Sequence, residues 1–444
     1  MKEKILSLID QGRYVEARNE MTNMNAVDTA LLFEEINQQN LLIVFRILPK
    51  DLSSDVFTHM TSELQKYVID SITDEEAVDI LENLFMDDVI DFLEEMPSNV
   101  VKRILEKTSD RTRIVINQFL NYPADSAGGL MTIEYVDLKK EMTVQQAINH
   151  IKEIGIDKET IDTCYVINNN RVLEGVISLR KLILNDESTL VKDIMDTDVI
   201  SVNTHIDQEE VANVFKLYNY NVLPVVDNEN RLVGIITVDD IIDVIDQETT
   251  EDIHKMAAIQ PSEKEYLKTN NWTLARHRLP WLLVLLISAS FTGEIISRYE
   301  EALQSVMILA SFIPMLMDTG GNSGSQSSTL IIRGLALGDI KPKDIMKVLW
   351  KELCISGIVG IILASVNFIR IYFISQTDLL IALTVSITLF FTVVLAKMVG
   401  GTLPIIAKKL KLDPAIMAGP LITTVVDAVS LMIFFTIATS LLGI

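Results

Sequence analysis

Leu223-Pro224-Val225-Val226-Asp227, followed after Asn228-Glu229-Asn230 by Gly234-Ile235-Ile236-Thr237-Val238-Asp239-Asp240-Ile241, is the stretch that organises this chain. Two apolar, β-branched runs around a polar Asn-rich turn read as a β-hairpin. Laying Tyr165-Val166-Ile167-Asn168 on Pro224-Val225-Val226-Asp227 at an offset of 59 also aligns Gly175 with Gly234, so the hairpin is the second copy of a repeat. Upstream the offset becomes 63, which sets Thr143 against Ile206 and assigns four extra residues to the first copy near Asp157 to Thr160. Each copy predicts a strand, an amphipathic helix (144–153 or 208–217), two short strands and a closing helix. The result is a pair of α+β domains, 131–190 and 191–245.

Working outward to the N-terminus, residues 1–130 read as an all-α helical solenoid. Between Leu48 and Lys107, Asp51, Ser62, Asp74, Asp87 and Ser98 each precede an apolar-periodic stretch. Leu81, Leu84 and Phe85, then Val89, Ile90, Phe92 and Leu93, give the stripes of short helices that bury one face against a neighbour. From Asp51 to Val100 there are 14 acidic residues and one basic residue, Lys66. Such a run is either a solvated face or a surface for cations.

Toward the C-terminus, 246–270 reads as a connecting helix and 271–444 as an α-helical membrane domain with five spans. Its apolar runs are Leu279 to Ile296, Ala302 into the Gly/Ser-rich stretch before Ile332, Leu353 to Ile374, Leu379 to Ala396, and Pro414 to Ile444. Each is compared with the roughly 20 residues that cross about 30 Å of hydrocarbon. Arg276, Arg278, Arg333, Lys341, Lys343, Lys347, Lys351, Lys397, Lys408, Lys409 and Lys411 fall on one side, against Arg298 and Arg370 near the other. That asymmetry puts the N-terminus in the cytoplasm and, with five spans, the C-terminus outside. Asp427 lies near the middle of the last span, after Gly419, Pro420, Thr423 and Thr424. An acid at that depth is either hydrogen-bonded to another helix or a cation ligand in a pore. The run from Gly320 to Ser328, which includes Gly321, Asn322 and Gln326, either lets helices approach closely or lines a wet path.

Charge sharpens the functional reading. The net charge is −23, but residues 1–270 hold 51 acidic and 25 basic residues while 271–444 hold 10 and 13. That balance argues against a nucleic-acid partner and toward cations. On the connecting helix Asp239, Asp243 and Asp246 fall at i, i+4 and i+7, and Glu248 and Asp252 at i, i+4, where like charges repel unless cations bridge them. Two distant cysteines, Cys164 and Cys354, make no disulfide framework. The first ten residues carry no signal-peptide pattern. None of the five histidines forms an HExxH, which argues against an intramembrane metalloprotease, and no enzymatic activity is expected.

The run from Leu223 to Ile241 resembles the second member of a CBS-domain pair, a regulatory module that often binds adenosine nucleotides or metals. Thr237 and Asp240 fit the nucleotide-holding Ser/Thr and Asp of such modules; in the first copy Ser178 fits but Lys181 stands where the acid would be. At most one ATP site is complete. The whole chain resembles the MgtE family of magnesium channels. The resemblance is carried by Ser126-Ala127-Gly128-Gly129-Leu130-Met131, Glu248-Thr249-Thr250-Glu251-Asp252-Ile253-His254-Lys255-Met256, Gly320-Gly321-Asn322-Ser323-Gly324-Ser325-Gln326, and Asp413-Pro414-Ala415 leading to Gly419-Pro420 and Asp427. It implies a homodimer in the plasma (inner) membrane, with a pore between the two membrane domains in contact with lipid. The second and fifth spans line that pore and Asp427 holds Mg²⁺. It also implies that a rise in cytosolic Mg²⁺ shuts the pore by binding acidic surfaces of the helical domain, the CBS pair and a connecting "plug" helix. On those surfaces the candidate ligands are Asp87, Asp88, Asp91, Glu94, Asp207, Glu209, Asp239, Asp243, Asp246, Glu248, Glu251 and Asp252. Channels for Co²⁺ or other divalent ions, and a nucleotide-sensing membrane adaptor without transport, are the competing expectations.

Overall fold

The computed structural model describes residues 1–262, 266–267 and 269–443 and divides into two compact units, Met1–Ile245 and Asp246–Ile444. The N-terminal part of the first unit is a helical array of ten helices among the described residues, from Lys2–Asp10 to Asp110–Phe119. Their N-caps are Arg13, Asn25, Asn37, Pro49, Thr61, Thr73, Phe85, Pro97 and Ser109, an unbroken 12-residue period. The period thus extends well upstream of Leu48. The caps are chemically specified: Asn25, Asn37, Thr73 and Ser109 accept from backbone N–H groups, and Thr73 and Glu76 close a reciprocal capping box. The same period governs the core, because Ile9, Met21, Phe33, Phe45, Phe57, Ile69, Leu81 and Leu93 are all buried. Phe33, Phe45 and Phe57 meet ring to ring at 6.5 and 6.4 Å, and Phe57 meets Phe92 at 5.3 Å. Alternate helices pack on one another, as Ala26–Phe33 on Lys50–Thr58 and Asp74–Leu81 on Ser98–Lys107. The helix Met86–Glu95 of this array is α1.

The repeat that follows is present as two three-stranded sheets. Strand β1 (Val136–Leu138) runs parallel to β2 (Thr163–Ile167), which is antiparallel to β3 (Leu173–Ser178). Likewise β4 (Val202–Asn203), β5 (Val222–Val226) and β6 (Leu232–Thr237) repeat that order. Thr163 pairs with Ser178 and Val222 with Thr237, which is the offset of 59. Upstream the expectation is one residue out: Thr143 caps Val144–Ile154 and Asp207 caps Gln208–Tyr218, an offset of 64. The extra residues form a 3₁₀ turn, Gly155–Asp157, and the segment after it. The Ser126 to Met131 motif joins the helical array to the second copy. Ala127 and Gly128 donate to the Ile206 and Thr204 carbonyls, and a Cβ on Gly128 would lie 2.6 Å from Tyr122 Cγ.

Helix α2 (Val238–Met256) closes the second copy and ends in the second unit; among the described residues no helix lies between Met256 and Asn271, and residues 263–265 and 268 of the expected connecting helix lie outside the described residues. The second unit then contains α3 (Asn271–Arg298), α4 (Ile313–Ala336), α5 (Ile345–Ile369, continued as a π-helix to Ile374), α6 (Leu379–Lys409) and α7 (Gly419–Leu442). Among the described residues four stretches are long and apolar enough to cross a membrane: Asn271–Arg298, Pro342–Ile374, Leu379–Lys409 and Pro414–Leu442. Helix α4 has 24 residues, about 36 Å, but its polar run sets it apart from those four. It does not begin at Ala302, where a short helix and a 3₁₀ turn precede it. Helix α6 runs on past Ala396, so Lys397 is a buried interior residue rather than a flank. Gly419 and Pro420 open α7 instead of interrupting it, which is where a proline is tolerated. The small residues do bring helices together: a Cβ on Gly400 of α6 would overlap the Gly324 carbonyl oxygen of α4. Ile444 lies outside the described residues.

Candidate functional site

Within the first unit, carboxylates from three places converge. Helix α1 carries Asp87 and Asp88 side by side and Asp91 one turn on, α2 begins with Asp239 and Asp240, and the long linker of the first copy supplies Glu159. Asp87 is only 8% exposed. Burial, reinforced by the charges of Asp240 and Asp88, holds its carboxyl well above the usual range. Burial followed by Asp240 and Asp239 pushes Asp88 up to about 6, and burial followed by Asp240 and Asp88 pushes Asp91 up to about 7. Burial, then Asp239 and Asp240, pushes Glu159 up to about 7. Asp240 is raised by burial to about 6, against a hydrogen bond from Thr237. Each acid is therefore costly to ionise, first because it is buried and then because the others are there. Among the described residues no three His, Cys, Asp or Glu side chains sit close enough to hold one metal ion. The cluster is suited to a cation that arrives with water between itself and the carboxylates.

Other residues play different local parts. Glu94 is raised by burial and by Asp125. Asp207 accepts from Glu209 N–H as a helix cap, an ordinary structural use of an acid. Thr237 Oγ1 donates to Asp240 Oδ2 at 2.7 Å, so the two nucleotide candidates are in contact, and Lys181 in the first copy binds both oxygens of Asp196 at 2.7 Å. Sequence reasoning missed Glu159, whose signal was the linker insertion. It also missed Glu134, which accepts from Met86 N–H at the start of α1 (3.4 Å) and from Ile133 N–H (3.0 Å).

Within the second unit the end of α2 meets the start of the last span. Lys255 Nζ donates to Asp413 Oδ2 at 2.6 Å and Glu251 Oε1 at 2.5 Å, while Asp413 Oδ1 accepts from Ala415 N–H at 2.8 Å. Burial opposes the Lys255 charge, but these two acids outweigh it and push its pKa up to about 12. Asp252 is pushed up to about 6 by burial, Asp413 and Glu248. Lys255 and Asp413, both unassigned from sequence, thus take part with Glu251 and Asp252. Asp243, Asp246 and Glu248 lie on the same helix.

The membrane helices present a polar face. Asp318, Asn322 and Gln326 recur every four residues on α4, and all three are exposed. Gly321 packs where a Cβ would lie 2.9 Å from Thr423 of α7. Thr423 and Thr424 donate their hydroxyl protons to the Gly419 and Pro420 carbonyls, which leaves their lone pairs available. Asp427 lies two turns into α7, and its buried Oδ1 has no hydrogen-bond partner among the described residues.

Comparison with known proteins agrees with this layout. Family models match at three places: an MgtE intracellular N domain over residues 24–125, a CBS domain over 191–247, and MgtE, a divalent cation transporter, over 313–437. The magnesium transporter MgtE of Thermus thermophilus is 37% identical over 100% of this chain and 99% of its own length. That of Bacillus subtilis is 43% identical over 73% of this chain and 71% of its own. A crystal structure of the cytosolic domain of the Mg²⁺ channel MgtE in complex with ATP superposes with a TM-score of 0.53 at 35% identity, covering 55% of this chain and all of that one.

Proposed function

This chain belongs to the MgtE family of divalent cation transporters and moves Mg²⁺ across a membrane that it crosses several times; from that premise we propose how the ion passes and how it shuts the path. It is not an enzyme. Two copies associate so that the exposed Asp318, Asn322 and Gln326 face of α4, intolerable against lipid, is covered and lines a wet path. Helix α4 is then a fifth span beside the four apolar ones. The observation that carries the pore is Asp427: a carboxylate inside a span, with a buried oxygen that has no hydrogen-bond partner among the described residues. Mg²⁺ takes oxygen ligands and dehydrates reluctantly, so Asp427 of each copy holds a largely hydrated ion, with Gly419, Thr423 and Thr424 on its cytosolic approach. Uptake of Mg²⁺ into vesicles containing the purified protein tests this reading, and no uptake above protein-free vesicles would refute it.

The domains are taken as 1–130, 131–190 and 191–245, the connecting segment 246–270 and the pore domain 271–444. Cytosolic Mg²⁺ binds between α1 and the start of α2, and among the acids near Asp413, and so favours a closed channel. ATP binds the second CBS copy through Thr237 and Asp240. Asp240→Ala is accordingly expected to weaken ATP at least about tenfold by calorimetry, the value of one lost hydrogen bond to a charged group; unchanged affinity would place the nucleotide elsewhere. The N-terminus faces the cytoplasm of the inner membrane. A tag after Ile444 should be labelled from outside intact cells while one before Met1 is not, and labelling of both ends from one side would mean an even number of spans.

A further inference from the structure

The membrane unit buries two charged side chains that this reading does not use: Glu352 of α5, 6% exposed, and Lys397 of α6, 5% exposed. Charges within a membrane domain are costly and mark function when a partner can be named. Glu352 accepts from Ser327 Oγ at 2.6 Å. Lys397 reaches the adjacent residue of α4, with Nζ 3.5 Å from Gln326 Oε1, and that amide is its only hydrogen-bond partner found among the described residues. Gly401, one turn beyond Lys397, packs where a Cβ would lie 2.9 Å from Glu352 Cγ. Two opposite charges therefore approach neighbouring residues of α4 from inside the unit.

The chemistry of the contact fixes which way Gln326 is turned. An ammonium has three N–H donors and no lone pair, so the Gln326 atom facing it must be the oxygen. What remains for the exposed side of α4 is the NH₂ group, which cannot coordinate a cation. Gln326 lies eight residues beyond Asp318, about 12 Å along the helix, and its neighbour Ser325 has its Oγ 3.7 Å from where a Cβ on Gly419 would be. That places it on the cytosolic side of Asp427. We propose that Lys397 is a positioning residue for ion transfer: by holding Gln326 Oε1 inward, it keeps an oxygen ligand off the path below Asp427, so that hydrated Mg²⁺ is released rather than captured. Conduction requires binding weak enough to let the ion leave. The inference rests on the reading that this face of α4 lines the path.

The test is initial Mg²⁺ flux against Mg²⁺ concentration in vesicles holding the full-length protein. Lys397→Met frees the amide oxygen, so the half-saturating concentration and the maximal rate should both fall, each by about 3–10-fold, the range of one hydrogen bond. Lys397→Arg, which still donates, should behave as wild type. In a Gln326→Met background Lys397→Met should change nothing further, because its effect runs through that amide. Wild-type kinetics in Lys397→Met, or an equal effect with and without Gln326, would each overturn the proposal. Failure of the pore reading is distinguishable, since Asp427→Asn would then conduct normally whatever Lys397 does.

Discussion

Asp427→Asn should lower Mg²⁺ flux at least about 100-fold, since each of two copies loses a charged ligand contact of the kind worth about 1.5–3 kcal/mol. The substitution keeps the volume and one oxygen of the side chain, and removes the charge while exchanging the other oxygen for an NH₂ group. Its effect on stability should run the other way. The Asp427 carboxylate has a buried oxygen without a partner among the described residues, so the neutral amide relieves the cost of burying an unpaired charge. The variant should therefore insert normally and melt at the same temperature as wild type or above it. Flux lost with stability retained is the signature of a ligand, whereas a drop in both would make Asp427 a hydrogen-bonding strut between helices. Wild-type flux through the Asn variant would remove Asp427 from the ion path altogether.

The features that were legible in the sequence are those carried by local periodicity. The hairpin offset of 59 is an alternation signal, and the strand register reproduces it residue for residue. The helical array was recognisable from its start signals, but the full period from Arg13 to Ser109 is clearer in buried residues than in caps. Pro49, Phe85 and Pro97 occupy capping positions without a side-chain cap, whereas Ile9, Met21, Phe33 and their successors mark every turn of the repeat. The one-residue error upstream, 63 against 64, arose where a 3₁₀ turn replaces a plain linker, a choice no periodicity reports. Residues whose role depends on long-range contact were the ones missed. Lys397 read as a boundary charge because a lysine after an apolar run is usually a flank, yet α6 continues past it and buries it. Lys255 and Asp413 are 158 residues apart, and neither signals the other in sequence.

The acid cluster of the first unit makes the second strong prediction, and its sign follows from the raised carboxyls. A carboxyl whose pKa rises on folding stabilises the folded arrangement below its unfolded value, near 4, and that contribution is lost as pH climbs through the raised value. For Asp88 and Asp240 that value is about 6, and for Asp91 and Glu159 about 7, so by pH 8 all four are ionised and repel. Protons and Mg²⁺ should therefore substitute for each other. Without Mg²⁺, wild-type protein should be cleaved by protease near Tyr122 to Met131 at pH 8 and protected at pH 5.5. Millimolar Mg²⁺ at pH 8 should restore the protection, and monovalent salt of equal ionic strength should not, since screening does not supply a bridging ion. Asp88→Asn combined with Asp91→Asn imitates the protonated state at two of these positions. In that variant cleavage at pH 8 without Mg²⁺ should slow on the order of tenfold, a change equal to a single unit of pKa shift, and added Mg²⁺ should contribute little more. The same variant should show flux that no longer depends on internal Mg²⁺, because the ion then binds compact and open forms alike and cannot shift the balance between them. Cleavage of wild type that is indifferent to pH between 8 and 5.5, or a double variant that keeps its full Mg²⁺ dependence, would reduce these acids to a solvated face and move the sensor to Glu251 and Asp252 at the far end of the same helix, with Asp413 beside them.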